Sequence, residues 1–100
     1  MKYVFHPEAL AEYSQAIQYY AEQRVDLAQA FIDAVENAVY RLREAPSRYP
    51  IVAPGIRRCI IRKFPYSILY IAEADSILIL AVTHGKQRPG HWRSRLSSSN

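Results

Sequence analysis

The residues best suited to chemistry lie near the end of the chain, in the segment HGKQRPGHWRSR of residues 84–95. It holds two histidines, His84 and His91, and four basic side chains, of which Arg95 is the last. Imidazole takes up or releases a proton near neutral pH, and guanidinium holds a phosphate and stabilises charge that develops on it. These groups could cleave RNA by attack of its own 2′-hydroxyl. The alternative is that the histidines have structural roles and that the arginines pair with acidic side chains of a partner.

A second basic cluster lies in residues 56–63, the segment IRRCIIRK, which has the composition of a β-strand. Arg57 and Arg58 open this strand. Arg58 and Arg62 are an even number of residues apart, so they share a face with Ile60, which we expect to lie away from the helices. These arginines would form a positive strip on the sheet. The alternative is a solvated edge strand that its charges protect against aggregation.

The net charge of the chain is +4, but its two halves differ in sign. Residues 1–50 carry five basic and seven acidic side chains, for a net charge of −2, whereas residues 51–100 carry eight and two, for +6. Ten of the thirteen basic residues are arginines, whose planar guanidinium suits phosphates and carboxylates. We therefore expect nucleic acid or an acidic protein as the partner of the second half.

Length and composition exclude several classes of protein. A chain of 100 residues, 50% hydrophobic and 22% charged, fits one folded domain and neither a two-lobed enzyme nor a disordered protein. The single cysteine, Cys59, cannot form an internal disulfide, and no cluster of cysteine and histidine has zinc-site spacing. We expect no metal and no cofactor. Without a signal peptide or a run of about 18 apolar residues, a cytoplasmic location away from the membrane is expected.

The first half of the chain predicts a short strand followed by two helices. The alternation in KYVFH predicts a strand over residues 2–6, and Pro7 suits the first turn of a helix that runs to Gln23. His6 is expected to act locally at the start of this helix. A second helix over residues 25–45 follows a brief break, which indicates a helical hairpin. The apolar stripes comprise Leu10, Tyr13, Ile17 and Tyr20 in the first helix and Leu27, Phe31, Ala34, Val35, Ala38 and Leu42 in the second.

The second half predicts three strands after a loop at residues 45–55, where three prolines and a glycine end the second helix. The segments rich in β-branched residues are IRRCIIRK, YSILYIA and SILILAVTH, at residues 56–63, 66–72 and 76–84. Their short connections favour an antiparallel meander. We therefore predict a two-layer α+β domain, residues 1–95, with the helical hairpin on one face of the sheet. Residues 96–100 are expected to form a disordered tail.

The last predicted strand is apolar on both faces. Alternation places one set of side chains on each side of SILILAVTH, namely Ile77, Ile79 and Ala81 against Leu78, Leu80 and Val82. Because two helices cover only one side, the other needs the segment around Trp92, a partner protein or a second copy of the chain. We favour a protein partner. Edge side chains that fold over a small twisted sheet are the alternative.

Four segments together resemble the RelE/ParE superfamily, the toxins of bacterial type II toxin–antitoxin modules, and its ParE-like branch in particular. These segments cover residues 3–95 and read FHPEALAEYSQAIQYYAEQR, FIDAVENAVYRLREAPSRYP, GIRRCIIRKFPYSILY and ILILAVTHGKQRPGHWRSR. The resemblance implies a strand, a helical hairpin and an antiparallel sheet. It also implies growth inhibition, a role in plasmid stabilisation, and a cognate acidic antitoxin that neutralises the toxin. Without the antitoxin, a homodimer is a further possibility.

The resemblance also implies candidate site residues. Arg57 and Arg58 match by position the basic pair that opens the second strand of relatives. His84 matches the histidine that ends the last strand, and Arg95 matches an arginine of the tail. With His91 as a possible proton donor, these five residues form the candidate catalytic set.

Two departures from the superfamily pattern bear on the mechanism. Where many relatives read H-x-x-R-x-P-G-Y-W, this chain has Gln87 for the arginine and His91 for the tyrosine. RelE-like members cleave mRNA on the ribosome, whereas ParE-like members bind and poison DNA gyrase without cleaving RNA. Both mechanisms remain open at this point, and a basic nucleic-acid-binding module is the alternative outside the superfamily.

Overall fold

The structure is a computed structural model that describes residues 1–97. It consists of a strand, two long helices, four further strands and a final helical turn. In chain order these elements are β1 (Lys2–Phe5), α1 (Pro7–Gln23), α2 (Val25–Glu44), β2 (Ile51–Ala53), β3 (Ile56–Ile60), β4 (Tyr66–Ala72), β5 (Ser76–His84) and α3 (Ser94–Ser97). The predicted α+β architecture is confirmed.

The strands form one sheet in the order β1-β5-β4-β3-β2. β1 is parallel to β5, and the other neighbours are antiparallel, as their short connections predict. β2 lies inside the segment that was predicted to be a loop, because Gly55, with a φ of +75°, allows the turn that pairs β2 with β3. β3 ends at Ile60, earlier than predicted, and Lys63 takes a φ of +70° in the turn that follows.

The start of α1 and the break before α2 have clear local causes. The Nδ1 atom of His6 accepts a hydrogen bond of 3.1 Å from the N–H of Glu8, which confirms its predicted local role. Arg24 is extended, with a φ of −160°, and its guanidinium binds the carboxylate of Asp26 in the first turn of α2. This single extended residue lets α2 fold back against α1.

The main core lies between the helical hairpin and the sheet. On α1, the small residues Ala9 and Ala16 face this core, and Leu10 is 50% exposed although its spacing predicted burial. On α2, Phe31 is fully buried and its ring contacts four other aromatic rings. The buried residues of this core are Ala9, Ala16, Tyr20, Ala28, Phe31, Val35, Ala38, Val39, Leu42, Cys59, Ile61, Ile68, Tyr70, Ile77, Ile79 and Val82.

A β-bulge in β5 changes which of its side chains face the helices. The pairing with β4 steps from Ala81 directly to Ile79, so Leu80 is an extra residue in β5. Val82 consequently belongs to the main core, whereas Leu80 and Ala81 belong to a cluster on the opposite face. The predicted alternation was therefore wrong for Ala81 and Val82, beyond Leu80, because one extra residue inverts the two-residue period.

The face of the sheet away from the helices, called the outer face below, is covered in part by the chain itself. Trp92 is 7% exposed and packs in a buried cluster with Leu69, Leu80 and Ala81. Residues 85–97, called the C-terminal segment below, thus supply the cover, which was one of the predicted alternatives. The indole ring buries these side chains, so they need no partner protein.

The described chain ends in the helical turn α3. The tail that was predicted to be disordered over residues 96–100 overlaps α3 at Leu96 and Ser97. The rest of that predicted tail, residues 98–100, lies outside the described residues.

Candidate functional site

A groove runs over the outer face between β3 and the C-terminal segment, and is called the outer-face groove below. Its volume is about 310 Å³. Arg58 reaches it from β3, where it pairs with Leu69 of β4 and is exposed. The residues that line the groove are Val52, Arg58, Ser67, Leu69, Thr83, His84, Gly85, Pro89, Gly90, Trp92 and Arg93.

Arg93 has a defined position at the edge of this groove. Its guanidinium carbon lies 5.1 Å from the centre of the Trp92 ring, which is a cation–π contact. The stem of Arg93 also crosses Gly90, where an added Cβ would lie 2.8 Å from Nε. Gly90 has a φ of +80°, which favours glycine as well. Trp92 therefore contacts the guanidinium of Arg93, and the absence of a side chain at Gly90 leaves room for its stem.

His84 ends β5 and stands at the end of the sheet. Its Nδ1 accepts a hydrogen bond of 3.0 Å from the N–H of Lys86, so the proton of a neutral ring is on Nε2. The imidazole packs edge-on against Tyr66, with ring centres 5.0 Å apart. His84 borders the outer-face groove and also two cavities beside α1. It therefore lies between the two faces of the sheet.

His91 and Arg95 are both bound to one carboxylate, that of Glu12 on α1. Arg95 donates hydrogen bonds of 2.8 Å and 2.7 Å to the two oxygens of Glu12, a bidentate ion pair. The Nε2 atom of His91 lies 3.0 Å from Oε2 of Glu12 and must carry the proton in this contact, because a carboxylate only accepts. Arg95 is only 5% exposed. These contacts fasten the C-terminal segment to the first helix.

The side chains of this ion pair also form hydrogen bonds with backbone groups of β5, in the part of β5 that lies beyond the end of β1. The last residue pair between these strands is Phe5 with Ile79. Beyond it, Arg95 donates a hydrogen bond of 3.0 Å to the carbonyl oxygen of Leu80, and Glu12 accepts one of 3.0 Å from the N–H of Val82. The side chains of Arg95 and Glu12 therefore replace the hydrogen bonds that a neighbouring strand would make, so these buried backbone groups are paired.

The environment of Glu12 holds it in the charged form. Burial raises the pKa of its carboxyl, but the hydrogen bonds from Arg95, the N–H of Val82 and His91, with the charge of Arg95, together outweigh burial and lower the pKa below its usual value of 4.5. The same carboxylate raises the pKa of Arg95. Removal of Glu12 would therefore leave the buried guanidinium of Arg95 without its ion-pair partner, which is costly.

The structure separates the five predicted site residues into three places. Arg58 and His84 border the outer-face groove. His91 and Arg95 are bound to Glu12. Arg57 donates a hydrogen bond of 2.7 Å to the carbonyl oxygen of Tyr49. The predicted set therefore does not converge on one centre.

Sequence reasoning missed four residues of these sites, of which Glu12 is the most consequential. A signal for Glu12 existed, because it lies three residues after Ala9 and four before Ala16, on the buried stripe of α1. No local pattern in the sequence indicates its partner, Arg95, which is 83 residues away. Gly90, Trp92 and Arg93 lie in the segment singled out for chemistry, but their joint arrangement needs the fold.

Two other buried groups have structural roles. Burial raises the pKa of the Cys59 thiol, which is fully buried in the main core. Burial also raises the pKa of Tyr70 to about 12, and its hydroxyl donates a hydrogen bond of 2.7 Å to the carbonyl oxygen of Pro46. Within residues 1–97, no three His, Cys, Asp or Glu side chains are grouped as a metal ion would require.

Comparison with known proteins agrees with this architecture. Residues 3–89 match the family model described as ParE toxin of type II toxin-antitoxin system, parDE. Toxin ParE2 of Mycobacterium tuberculosis, recorded for strains CDC 1551 and H37Rv, is 31% identical over 87 residues, which are 83% of this chain and 80% of the relative. A solved structure titled Chromosomal ParDE TA system from P. aeruginosa has the same fold, with a TM-score of 0.73 at 18% identity over 84% of this chain and 95% of that one.

The fold and these matches make the chain a toxin of a type II toxin–antitoxin system. Within that class, it belongs to the ParE toxin family, because the family model and the curated relatives each cover most of its length. A protein of this class inhibits growth unless its antitoxin is bound, so an antitoxin partner follows from the family. No helix within residues 1–97 is long and apolar enough to span a membrane.

Proposed function

We propose that this toxin inhibits growth by binding DNA gyrase in the cytoplasm, and that it carries out no chemical step on RNA. The observation that carries this proposal is the separation of the predicted catalytic residues. His91 and Arg95 are bound to Glu12, and Arg57 is bound to a backbone carbonyl oxygen. Membership of the ParE family, rather than of a RelE-like one, supports the same reading.

Cleavage of RNA by its own 2′-hydroxyl needs groups that take and give a proton on opposite sides of the phosphate. Of the predicted proton-transfer groups, only His84 borders the outer-face groove. His91 has its Nε2 atom against Glu12, with a side-chain exposure of only 19%, so the groove holds one candidate and not a pair. Binding alone requires no such pair.

The second candidate function is cleavage of mRNA on the ribosome. It is favoured by one observation, namely that Arg58, Arg93 and His84 border the same groove. Arginines there could hold a phosphate while His84 transfers a proton. The experiment that follows separates the two functions.

The test replaces both histidines with residues that keep their hydrogen bonds. In His84→Asn the side-chain oxygen can still accept from Lys86, and in His91→Gln the amide can still donate to Glu12. Neither amide transfers protons near neutral pH. The double variant is expressed without antitoxin, growth is followed, and cellular mRNA is mapped by primer extension. We expect growth inhibition to persist, because the arginines of the groove are kept, and we expect no toxin-dependent cuts. Cuts by the native toxin that disappear with toxicity in the variant would establish the nuclease instead.

We also propose that the antitoxin is acidic, since the second half of the chain carries a net charge of +6. Its complex with the toxin should weaken as salt rises from roughly 0.05 to 0.5 M, because salt screens charges at an interface rim. Titration calorimetry across this range measures the change. An affinity that does not change with salt would contradict an electrostatic contribution.

The homodimer expected in the absence of antitoxin stays a prediction. The exposed apolar residues Val4 of β1 and Ile60 of β3, 57% and 58% exposed, are where a second copy could pack. Sedimentation equilibrium of the isolated toxin distinguishes a dimer from a monomer.

A further inference from the structure

We propose that the outer-face groove binds an acidic and apolar peptide segment of the toxin's protein target, with Arg58 and Arg93 binding its carboxylates. This inference rests on the proposed function, in which the toxin acts by binding a protein. The groove is thereby the surface that recognises the target. Its partner is defined by chemistry, as an extended stretch that carries both carboxylates and aliphatic side chains.

The charge of the groove is the first argument. No Asp or Glu occurs among the residues that line it, whereas Arg58 and Arg93 both do. Neither guanidinium has a hydrogen bond or an ion pair to another side chain within residues 1–97, apart from the cation–π contact of Arg93. Arginines elsewhere in the described chain do pair with carboxylates, since Arg95 is bound to Glu12 and Arg24 to Asp26. Two unneutralised cations beside one cavity favour an anionic ligand.

The apolar part of the lining is the second argument, and it favours a peptide over nucleic acid. Val52 of β2 is 43% exposed and Pro89 is also exposed, and both line the groove, so aliphatic side chains of a ligand can be buried against them. Trp92 cannot serve as a stacking platform for a base, because it is 7% exposed and Arg93 lies over its ring. The groove thus offers charge and aliphatic contact, whereas the face of Trp92 is not available to a base.

The fixed position of Arg93 is the third argument. An arginine side chain loses considerable conformational entropy when a ligand immobilises it, and a side chain held beforehand avoids part of this loss. Trp92 holds the guanidinium of Arg93, and the missing Cβ of Gly90 leaves room for its stem. An added methyl group at Gly90 should therefore displace Arg93 without removing its charge.

Fluorescence provides a direct test, since Trp92 is the only tryptophan of the chain and lines the groove. The native toxin is titrated with three probes: a synthetic peptide that alternates glutamate and leucine, a matched peptide that alternates lysine and leucine, and a single-stranded RNA oligonucleotide. We expect a saturable change of emission with the acidic peptide only. In Arg58→Gln and Gly90→Ala, its affinity should fall by about tenfold, the scale of losing one well-placed interfacial contact. No saturable change with the acidic peptide, or binding of RNA in its place, would overturn the proposal.

Growth inhibition then tests whether this binding is the recognition of the target. Arg58→Gln, Arg93→Gln and Gly90→Ala are expressed without antitoxin, with Arg48→Gln as the matched control, because Arg48 is exposed and does not line the groove. We expect the three groove variants to lose growth inhibition and the control to keep it, with unfolding midpoints that show all four to be folded. Folded groove variants that still inhibit growth would overturn the proposal. This includes a variant that has lost antitoxin binding but still inhibits growth.

Failure of the proposed function has a separate signature. If the native toxin does not inhibit gyrase supercoiling, but the groove variants lose growth inhibition and the acidic peptide still binds, the target is another protein and the groove assignment stands. If the native toxin does inhibit gyrase and the groove variants inhibit it equally, the gyrase assignment stands and the groove assignment is overturned.

Discussion

Replacement of Glu12 by glutamine tests the role of its ion pair in the fold. Glu12→Gln leaves Arg95, with a side chain only 6% exposed, charged beside a neutral amide. Breaking a buried ion pair by removing one partner costs about 3–5 kcal/mol. We expect about 3 kcal/mol, the lower end of that range, because the glutamine carbonyl oxygen can still accept one hydrogen bond.

Urea unfolding at about pH 7 measures this loss, with Trp92 fluorescence as the probe of the C-terminal segment. A loss of about 3 kcal/mol lowers the midpoint by roughly 1.5 M, since m is about 2 kcal/mol per M for small proteins. Glu44→Gln is the control, because Glu44 is exposed at the end of α2 and should change stability by less than about 0.5 kcal/mol.

The dependence of this loss on pH has a definite sign. The folded pKa of Glu12 is lowered below 4.5, so its contribution is fully present above the unfolded pKa and is lost as pH falls through the folded pKa. The difference between the native toxin and Glu12→Gln should therefore be full above about pH 5 and shrink progressively below about pH 4. A difference that stays constant down to about pH 3, or one below about 1 kcal/mol at neutral pH, would refute the role given to this carboxylate.

Three further changes test the packing and capping described above. Arg95→Lys should lower the free energy of unfolding by about 1–2 kcal/mol, because an ammonium cannot bind both oxygens of Glu12 and the Leu80 carbonyl in the fork geometry; no loss in urea unfolding would contradict this. Phe31→Ala should cost about 3–5 kcal/mol, since the ring is fully buried, and thermal unfolding measures it; a smaller loss would place Phe31 outside the core. His6→Ala should lower the free energy of unfolding by about 1 kcal/mol by removing the N-cap, and urea unfolding that shows no loss of stability would argue against a cap.

Most helices and strands of this fold could be predicted because local sequence patterns indicate them. Pro7 and the extended Arg24 mark helix boundaries, and an apolar stripe of period 3.6 marks each helix between them. β2 was missed because its three residues, Ile51–Ala53, lie among prolines and form a strand only through pairing with β3. The bulge at Leu80 was missed because an extra residue in a uniformly apolar strand leaves no mark in the sequence.

The candidate site was predictable only in part. Arg58 and His84 were singled out by residue type and position, and both border the outer-face groove. Arg95 was read as a phosphate-binding group, but it is bound to Glu12, and that pairing depends on how the C-terminal segment returns to α1. Charge type can be read from a sequence, whereas the choice of partner for each charge depends on contacts between distant residues.

The measurement that bears most directly on the mechanism is a titration of purified gyrase with this toxin, with supercoiling as the readout. An inhibitor that binds without chemistry should act in proportion to the complex formed, so activity falls until gyrase is saturated and then does not change with time. His84→Asn with His91→Gln should still inhibit gyrase to saturation, because neither change removes an arginine from the outer-face groove. A native toxin that leaves supercoiling intact at saturating concentration, while it cleaves ribosome-bound mRNA through many turnovers, would contradict the proposed mode of action.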